Sequence, residues 1–444
     1  MRRLTPDLVA PVILAATIVA FAAGSSSVGG IVHAGRGARW VALLALFVVA
    51  AAWIGRPVAR LRPAVVATAL AFLVLAVESG IWSVDPRLTI ERAATLLLLF
   101  ATATALALAC AGRADASRRV LWGLVGGALV VSALGVVTLA VDHSAAVQAA
   151  TYDLPARYRG FGQSPNTVSL LLALCLPICA WLAFEARTRR EREIALLAAV
   201  AFDASIAASA SRGAIAAGFI GVFVVVTLVR RPIRIRALAA GAVAVLLAAT
   251  IVVALAPTSK GNAAAPKSSA PTAASGVKAK PGYVNVGVSY PFEFDIGFQG
   301  PGEAAPTHRT LFGLSGRGEA WRGAIDLGNA RPALGYGFGT ETRVFVNRYT
   351  NFVGGSPEDS YIGLYLQLGV AGLVAFLALV AALAVGTLRR IRSPEAIVSL
   401  AVLAAALVLA IVQSYIYSVG DIGTVTVWVC AFLGAATVGR RAAT

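Results

Sequence analysis

Apolar stretches of about 20 residues recur along most of this 444-residue chain, and they restrict its fold more than any other feature. Each stretch is long enough to cross ~30 Å of hydrocarbon as a helix. The chain is 58% hydrophobic and only 13% charged, whereas a soluble domain carries about 25% charged residues. The sequence therefore predicts an all-α integral membrane protein.

We predict about twelve transmembrane helices from the positions of the apolar stretches. The predicted spans are 8–23, 39–54, 63–79, 88–111, 117–141, 166–186, 194–210, 213–229, 237–256, 359–387, 395–417 and 421–438. The second and the seventh are short, so counts of eleven or thirteen stay open. Met1 and the basic residues after it resemble a signal peptide, but no clear cleavage context follows, so we predict a retained first helix.

The distribution of arginine predicts which connections face the cytoplasm. The net charge is +17, and arginines cluster in alternate connections such as 187–192 and 230–236. By the positive-inside rule these connections are cytoplasmic, both termini are cytoplasmic, and residues 257–358 form one long extracytoplasmic loop. The membrane bundle then comprises residues 1–256, with about nine helices, and residues 359–444, with about three. In this arrangement the basic residues set the membrane topology and contact anionic membrane lipid, so nucleic acid is excluded as a partner.

The long loop divides by composition. Residues 257–282 are rich in Pro, Ala, Ser and Lys without periodicity, which is typical of a flexible linker. Residues 283–298 alternate apolar and polar side chains and predict a short strand pair. From 315 the pattern favours a short amphipathic helix with Trp321, Ile325 and Leu327 near one face. The loop from 283 to 358 is thus expected to be partly ordered.

Polar residues at the ends of spans are the first candidates for a functional site, because polar groups are expensive to place in a membrane without a partner or a role. Arg159 precedes a Gly-rich turn before the sixth span, and Asn166 is either the N-cap of that span or part of an anion site at its N-terminus. Arg212 lies in a tight connection, where it either snorkels to the interface or holds an anion. Arg317 adds a further cation in the long loop.

Two acids, Glu358 and Asp359, open the tenth span. They either stabilise its N-terminus through the helix dipole or take part in chemistry. The four cysteines all lie inside apolar stretches without metal-ligand spacing, so we predict buried core residues and neither a metal nor a cofactor.

Six motifs in this order resemble the O-antigen ligase and O-antigen polymerase superfamily of bacterial envelope enzymes. They cover about residues 80 to 375, together with the long outward loop. The motifs are WSVDP at 82–86, RGFGQSPN at 159–166, SASRG at 209–213, SGRGEAW at 315–321, RPALGYGFGT at 331–340 and EDSYIGLYLQLGVAGL at 358–373.

The resemblance implies a multi-pass glycosyltransferase of the bacterial cytoplasmic membrane that works on the outer side. Its donor would be a glycan on an undecaprenyl-pyrophosphate-type lipid, and its acceptor a sugar or glycolipid. Matched to the family motifs, Arg159, Arg212 and Arg317 would bind the pyrophosphate, and a general base would complete an inverting displacement. Asn166, Trp321 and Tyr361 are the corresponding candidates for acceptor binding. No cofactor is implied.

The chain departs from the family at one position. Members typically carry a His-Asn pair at the start of the helix after the long loop, and that His is the expected base. Here the pair is Glu358-Asp359, and none of His33, His143 and His308 matches. Either a carboxylate is the base, with Arg317 beside it, or His308 reaches in from the loop, or this member works differently.

Two other classes of function stay open at this stage. A secondary transporter or flippase of lipid-linked oligosaccharide would have the same hydropathy, but such folds often show two related halves, and no convincing repeat is present. A non-catalytic envelope assembly protein would explain the missing His.

Overall fold

The computed structural model describes residues 6–54, 59–149, 156–255, 317–345 and 356–438. The predicted linker, the predicted strand pair at 283–298 and His308 lie outside the described residues. The helices are α1 (Pro6–Gly24), α2 (Gly29–Trp53), α3 (Pro63–Glu78), α4 (Pro86–Cys110), α5 (Ala114–Val141), α6 (His143–Ala146), α7 (Pro165–Phe184), α8 (Arg189–Ser209), α9 (Arg212–Leu228), α10 (Ile233–Leu255), α11 (Arg317–Asn329), α12 (Glu341–Val344), α13 (Ser360–Leu388), α14 (Pro394–Ala410) and α15 (Thr424–Ala435). The short strands β1 (Ala59–Arg60) and β4 (Thr437–Val438) pair antiparallel, as do β2 (Val147–Gln148) and β3 (Arg157–Tyr158).

Within the described ranges, eight helices are long and apolar enough to cross a membrane. They belong to α1 to α5, α7, α10 and α13. Helices α9, α14 and α15 are apolar but shorter, and α8 begins with a run of charged residues. The prediction of an all-α membrane protein is confirmed, while the count of twelve spans stays a prediction.

Helix α2 begins ten residues earlier than the predicted span at 39–54. Arg36, which lies before the predicted span, and Arg39, at its first position, therefore both lie well inside the helix. The reason is a close crossing with α1. A Cβ at Gly35 would lie 2.3 Å from the backbone nitrogen of Gly24, so Gly35 is needed for this helix packing, whereas Gly29, Gly30 and Gly37 have open space where a Cβ would lie.

The predicted eleventh span at 395–417 is also wrong at its end, because α14 stops at Ala410. Residues 411–423, here called the 411–423 loop, form turns between α14 and α15. The Ser360 hydroxyl donates to the carbonyl oxygen of Gln413 at 2.6 Å and accepts from the Tyr415 backbone N–H at 3.1 Å. Buried apolar residues continue through the loop, so hydrophobicity alone could not indicate where the helix ended.

Helix α13 is broken at Gly369, whose φ of 63° is left-handed. At the break, backbone N–H and C=O groups of α13 lose their helical partners. They form hydrogen bonds instead with residues 332–337, which are part of the RPALGYGFGT motif. The N–H of Gly337 donates to the Gln367 oxygen at 2.8 Å, and the N–H of Val370 donates to the Pro332 oxygen at 2.8 Å. A non-helical segment at membrane depth needs such partners, so this motif is a structural complement of the broken helix.

The predicted outer connections meet at one end of the bundle, here called the site end. There Ser26 and Gly162 form an isolated antiparallel β-bridge, and the Arg39 guanidinium donates a hydrogen bond to the Gly420 oxygen. The WSVDP motif packs on the RPALGYGFGT motif, since the Trp82 indole donates to the Leu334 oxygen at 3.0 Å. The β1–β4 ladder marks the opposite end.

The core is almost entirely apolar, and all four cysteines are buried and free, as the sequence predicted.

Candidate functional site

The first candidate pair at the site end joins α11 to the start of α13. Arg317 is the first residue of α11, and its guanidinium contacts the Glu358 carboxylate twice at Oε2, from Nε at 2.9 Å and from Nη2 at 2.7 Å. The two side chains are 17% and 29% exposed, which leaves the pair accessible from outside the bundle. The two motifs that contributed these residues therefore meet.

Glu358 has a strained backbone. Its φ of 51° lies in the left-handed region, which a residue with a Cβ occupies at a cost of about 1–3 kcal/mol. Strain of this kind persists only where the surroundings enforce it, and here Asp359 follows directly as the N-cap of α13. The strained turn thus directs the Glu358 carboxylate towards α11 while Asp359 is directed into the helix.

Asp359 caps α13 as the dipole argument allowed. Its Oδ1 accepts from the backbone N–H groups of Tyr361 at 2.8 Å and of Ile362 at 2.9 Å. Burial raises the pKa of this carboxyl above its usual range, although the two backbone donors act in the opposite direction. Its backbone N–H donates to the Ser414 hydroxyl at 3.1 Å, which fixes the start of α13 against the 411–423 loop.

Arg212 is the first residue of α9 and lies near the Arg317 pair. It is half-buried, and the positive charge of Arg317 is close enough to act on it. The start of α9 also touches the 411–423 loop, because a Cβ at Gly213 would lie 2.4 Å from a methyl carbon of Val412. Two of the three predicted pyrophosphate ligands, Arg212 and Arg317, are thus brought to the same region although they are distant in sequence.

Asn166 is not the N-cap of α7, because Ser164 holds that position in a capping box with Thr167. The Asn166 side-chain oxygen instead accepts from the Arg157 guanidinium at 3.1 Å and from the Ser211 hydroxyl at 3.1 Å. Arg157 also donates to the Ser209 oxygen at 2.8 Å. Asn166 and the buried Arg157 therefore hold the α8–α9 turn that positions Arg212.

Arg159 is tied to the neighbouring backbone. Its Nε donates to the Ala145 oxygen at 2.7 Å and its Nη2 to the Ser144 oxygen at 2.8 Å. These bonds occupy part of the guanidinium and hold the turn after β3 against α6. Among the described contacts, none joins Arg159 to Arg212 or Arg317.

Trp321 and Tyr361 have different surroundings. The Trp321 indole N–H is buried and has no hydrogen-bond partner in the described ranges. The Tyr361 hydroxyl donates to the Leu407 oxygen at 3.1 Å, and its ring packs edge-on against Phe376. Ile325, expected beside Trp321, is 38% exposed, because small residues such as Ala324 line the packed face of α11 instead.

A third carboxylate at the site, Glu341, was not singled out from the sequence. It follows the RPALGYGFGT motif, and its Oε2 accepts from the Tyr417 hydroxyl at 2.8 Å and from the Gln367 amide at 3.3 Å. Its Oε1 has no hydrogen bond of normal geometry in the described part, but the Ser414 hydroxyl is near enough to lower its pKa. Burial dominates and, with the charge of Asp359, raises the pKa of Glu341 to about 7.

The sequence held one signal for Glu341, namely an acid directly after a glycine-rich turn. Its burial came from the break in α13, which no local pattern predicts. Close packing maintains it, since a Cβ at Gly363 would lie 2.8 Å from Glu341 Oε1.

In the described parts of the chain, no three His, Cys, Asp or Glu side chains are grouped so that they could hold a metal ion. The chemistry that this arrangement offers is anion binding by arginines next to carboxylates that can take a proton.

Residues 194–377 match a family model described as O-antigen ligase. The match runs from α8 into α13 and so includes Arg212, Arg317, Glu341 and the Glu358-Asp359 pair. Comparison with curated proteins gives no match.

Proposed function

Because this chain is a member of the O-antigen ligase and polymerase superfamily, we propose that it transfers or polymerises a glycan carried on an undecaprenyl-pyrophosphate-type lipid. The acceptor is a hydroxyl group of another sugar or glycolipid. The reaction takes place at the site end, which faces the outside of the bacterial cytoplasmic membrane. No nucleotide sugar and no cofactor takes part in this scheme.

The convergence of Arg212 and Arg317 is the observation that carries the proposal. In the transfer, the acceptor oxygen forms a bond to the anomeric carbon while the bond from that carbon to the pyrophosphate oxygen breaks. Negative charge grows on the departing pyrophosphate. Two partly buried guanidiniums whose charges repel each other are favourably placed to bind an anion of this kind, and they stabilise it most when the charge is largest.

The Arg317–Glu358 pair supplies a way to couple donor binding to proton removal. An arriving pyrophosphate competes with Glu358 for the Arg317 guanidinium, since both are anions. Once released, the Glu358 carboxylate accepts the proton of the attacking hydroxyl, and the displacement inverts the anomeric centre. Asp359 is bound to the N-terminus of α13 and holds Glu358 in place, so of the two acids Glu358 is the stronger candidate for the base.

Acceptor binding is assigned to the face of α11 that carries Trp321. Its partly exposed indole ring offers an apolar surface to a sugar ring. Tyr361 and Asn166 support the same region through their bonds to α14 and to the α8–α9 turn. Arg159 borders the site at the α6 turn, where its remaining N–H groups are available to an anion.

The decisive experiment measures transfer by the purified full-length protein from a synthetic polyprenyl-pyrophosphate glycan to an acceptor glycan. Arg212→Gln and Arg317→Gln should each lower kcat/KM by roughly 10²–10³-fold, the effect of losing one donor to a developing oxyanion. Arg322→Gln is the matched control, because Arg322 lies on the same helix and is exposed. If both site variants stay within about twofold of the control, these arginines do not bind the leaving group.

The orientation is tested separately with a labelled cysteine or reporter inserted between residues 260 and 280. Labelling from outside intact cells is expected. Labelling only after the cytoplasmic side is opened would reverse the topology and remove the extracytoplasmic reaction.

A further inference from the structure

Three arginines of the first half of the chain lie at the site end but outside the pair described above. Arg36 and Arg39 are about one turn apart on α2, and Arg92 is on α4. Arg92 is the seventh residue of its helix, which places it ~9 Å from the helix start at 1.5 Å per residue. Charged side chains at such depth in apolar helices need partners.

Arg39 is fixed in place but has unused hydrogen-bonding capacity. Its Nη1 donates to the Gly420 oxygen at 3.0 Å, and its guanidinium lies 4.7 Å from the centre of the Trp40 ring. Its Nε is buried and has no acceptor in the described part of the chain. The group is therefore held by one carbonyl and one ring, with donors left over.

Arg92 has even fewer partners. Its stem packs under the RPALGYGFGT motif, where a Cβ at Gly339 would lie 2.4 Å from its Cγ. Its guanidinium makes neither a hydrogen bond nor an ion pair with any described residue, and the same holds for the exposed Arg36.

Helices α2 and α4 pack against each other, which brings Arg92 near Arg39, and Arg36 lies about one turn before Arg39 on the same helix. The positive charges of Arg92 and Arg36 both act on Arg39, and Asp421 is the opposite charge that acts on it. Like charges that are partly removed from water repel more strongly than at the surface. A single buried carboxylate beside them does not neutralise three guanidiniums.

The carboxylates near Arg92 do not neutralise the excess positive charge either. Glu91 forms an ion pair with Arg87 at 3.0 Å. Glu341 is near Arg92, but burial raises the pKa of Glu341 to about 7, so it is only about half ionised at neutral pH. The region therefore keeps an excess of positive charge around two half-buried guanidiniums, those of Arg39 and Arg92.

We propose that Arg36, Arg39 and Arg92 form a second anion-binding subsite, separate from Arg212 and Arg317, which takes a phosphate-type oxyanion carried on a lipid. The planar donors of arginine match the oxygens of phosphate, and Trp40 holds one of them flat.

A lipid is the favoured carrier because of the surface next to the subsite. On α2, Val41, Leu44 and Val48 are 70%, 51% and 57% exposed, so this side of the helix is an apolar face that a lipid chain can contact. Arg36 lies at the edge of that face, about 80° around the helix from Leu44. Arg39 lies on the opposite side of α2, towards Gly420. A polyprenyl or acyl chain can lie on that face while its phosphate meets the guanidiniums. The binding of a lipid phosphate at this subsite does not depend on the proposed function. The identification of that lipid as the pyrophosphate donor rests on the proposed function.

The test uses the delipidated full-length protein in neutral detergent and two probes, undecaprenyl pyrophosphate without sugar and phosphatidylglycerol. Native mass spectrometry gives Kd, and thermal unfolding gives the rise in Tm that each probe produces. The variants are Arg39→Gln, Arg92→Gln and their combination. Arg87→Gln is the control, because it removes the same charge from α4 at an exposed position.

The double variant should raise Kd for undecaprenyl pyrophosphate at least ~10-fold, since each charge-assisted contact contributes a large part of such a factor. The control should stay within about twofold. An equal loss for phosphatidylglycerol would identify the subsite as one for lipid headgroups in general, and a loss confined to the pyrophosphate would identify the donor. Unchanged Kd values for both probes would overturn the proposal.

Folding is controlled within the same experiment. Without a probe, the double Gln variant should have a Tm equal to or above that of the wild type, because mutual repulsion is removed. If it does not give a monodisperse protein, the double Lys variant decides, since it keeps the charge and loses the planar donors; at least ~3-fold weaker binding supports the subsite and unchanged binding overturns it. Absence of glycan transfer by the wild type would refute the proposed function without affecting these Kd values.

Discussion

The buried carboxylate of Glu341 should make the folded protein less stable as pH rises, and Glu341→Gln should remove that dependence. Burial raises the pKa of Glu341 from 4.5 to about 7. The unfolded chain therefore releases this proton at a lower pH than the folded chain does. The folded state is favoured most below about pH 4.5, and the advantage is lost as pH rises through about 7.

The magnitude follows from the difference between the two pKa values. At 1.36 kcal/mol per unit, the change corresponds to about 3 kcal/mol of unfolding free energy between acid and alkaline pH. A glutamine side chain keeps the acceptor for the Tyr417 hydroxyl and introduces no charge. Its gain over the wild type should be below about 1 kcal/mol at pH 5 and close to the full amount at pH 8.5.

The assay is thermal unfolding of both full-length proteins in detergent, followed by tryptophan fluorescence at pH 5, 7 and 8.5. Since ~2–4 °C per kcal/mol is typical of domains of 150–250 residues and larger chains respond less, we expect the difference in Tm to grow by about 5 °C across this range. Asp421 also has a pKa raised by burial, but it is present in both proteins and cancels in the difference. Asp359 repels the ionised Glu341 carboxylate, so this repulsion is part of the effect that Glu341→Gln removes.

A matched control is Glu91→Gln, which removes an exposed carboxylate of a surface ion pair and should change Tm by no more than about 1 °C at any pH. The reasoning fails if the Tm difference for Glu341→Gln is the same at pH 5 and 8.5, or if the variant is the less stable protein at pH 8.5.

Three further predictions concern the same end of the bundle. Glu358→Gln should lower kcat for glycan transfer by roughly 10²-fold or more, with KM for the lipid donor unchanged or lower, because the variant cannot accept the proton and no longer competes for Arg317. Gly363→Ala should destabilise the protein by about 1–3 kcal/mol, because the new Cβ would lie 1.9 Å from the Tyr417 hydroxyl oxygen. Asn166→Ala should cost about 1–3 kcal/mol, because it leaves donors at the α8–α9 turn without their shared acceptor.

The controls and contrary results are specific to each variant. Gly126→Ala adds the same methyl group where nothing lies within 4 Å, so a Tm loss equal to that of Gly363→Ala would contradict the packing argument. Asn166→Asp keeps the acceptor oxygen and should retain most of the wild-type Tm. Transfer by Glu358→Gln at the wild-type rate would exclude Glu358 as the base.

The motifs shared with the family were visible in the sequence, but their contacts were not. Arg317 and Glu358 could be named from their motifs, yet their ion pair depends on a strained residue before α13. Arg212 could be singled out because it lies in a tight connection between two predicted spans. The turn that positions it depends on Arg157, which looked like one of several arginines.

The sequence by itself determined the all-α membrane class and most helix positions, because the transfer of apolar side chains into hydrocarbon depends on local composition. It could not determine where buried polar groups find their partners. Glu341 is buried because α13 breaks at Gly369 and because the 411–423 loop replaces a helix that hydrophobicity predicted. Such partners come from segments far apart in sequence, so only the tertiary structure brought Arg39, Arg92, Glu341 and Asp359 to the same end of the bundle.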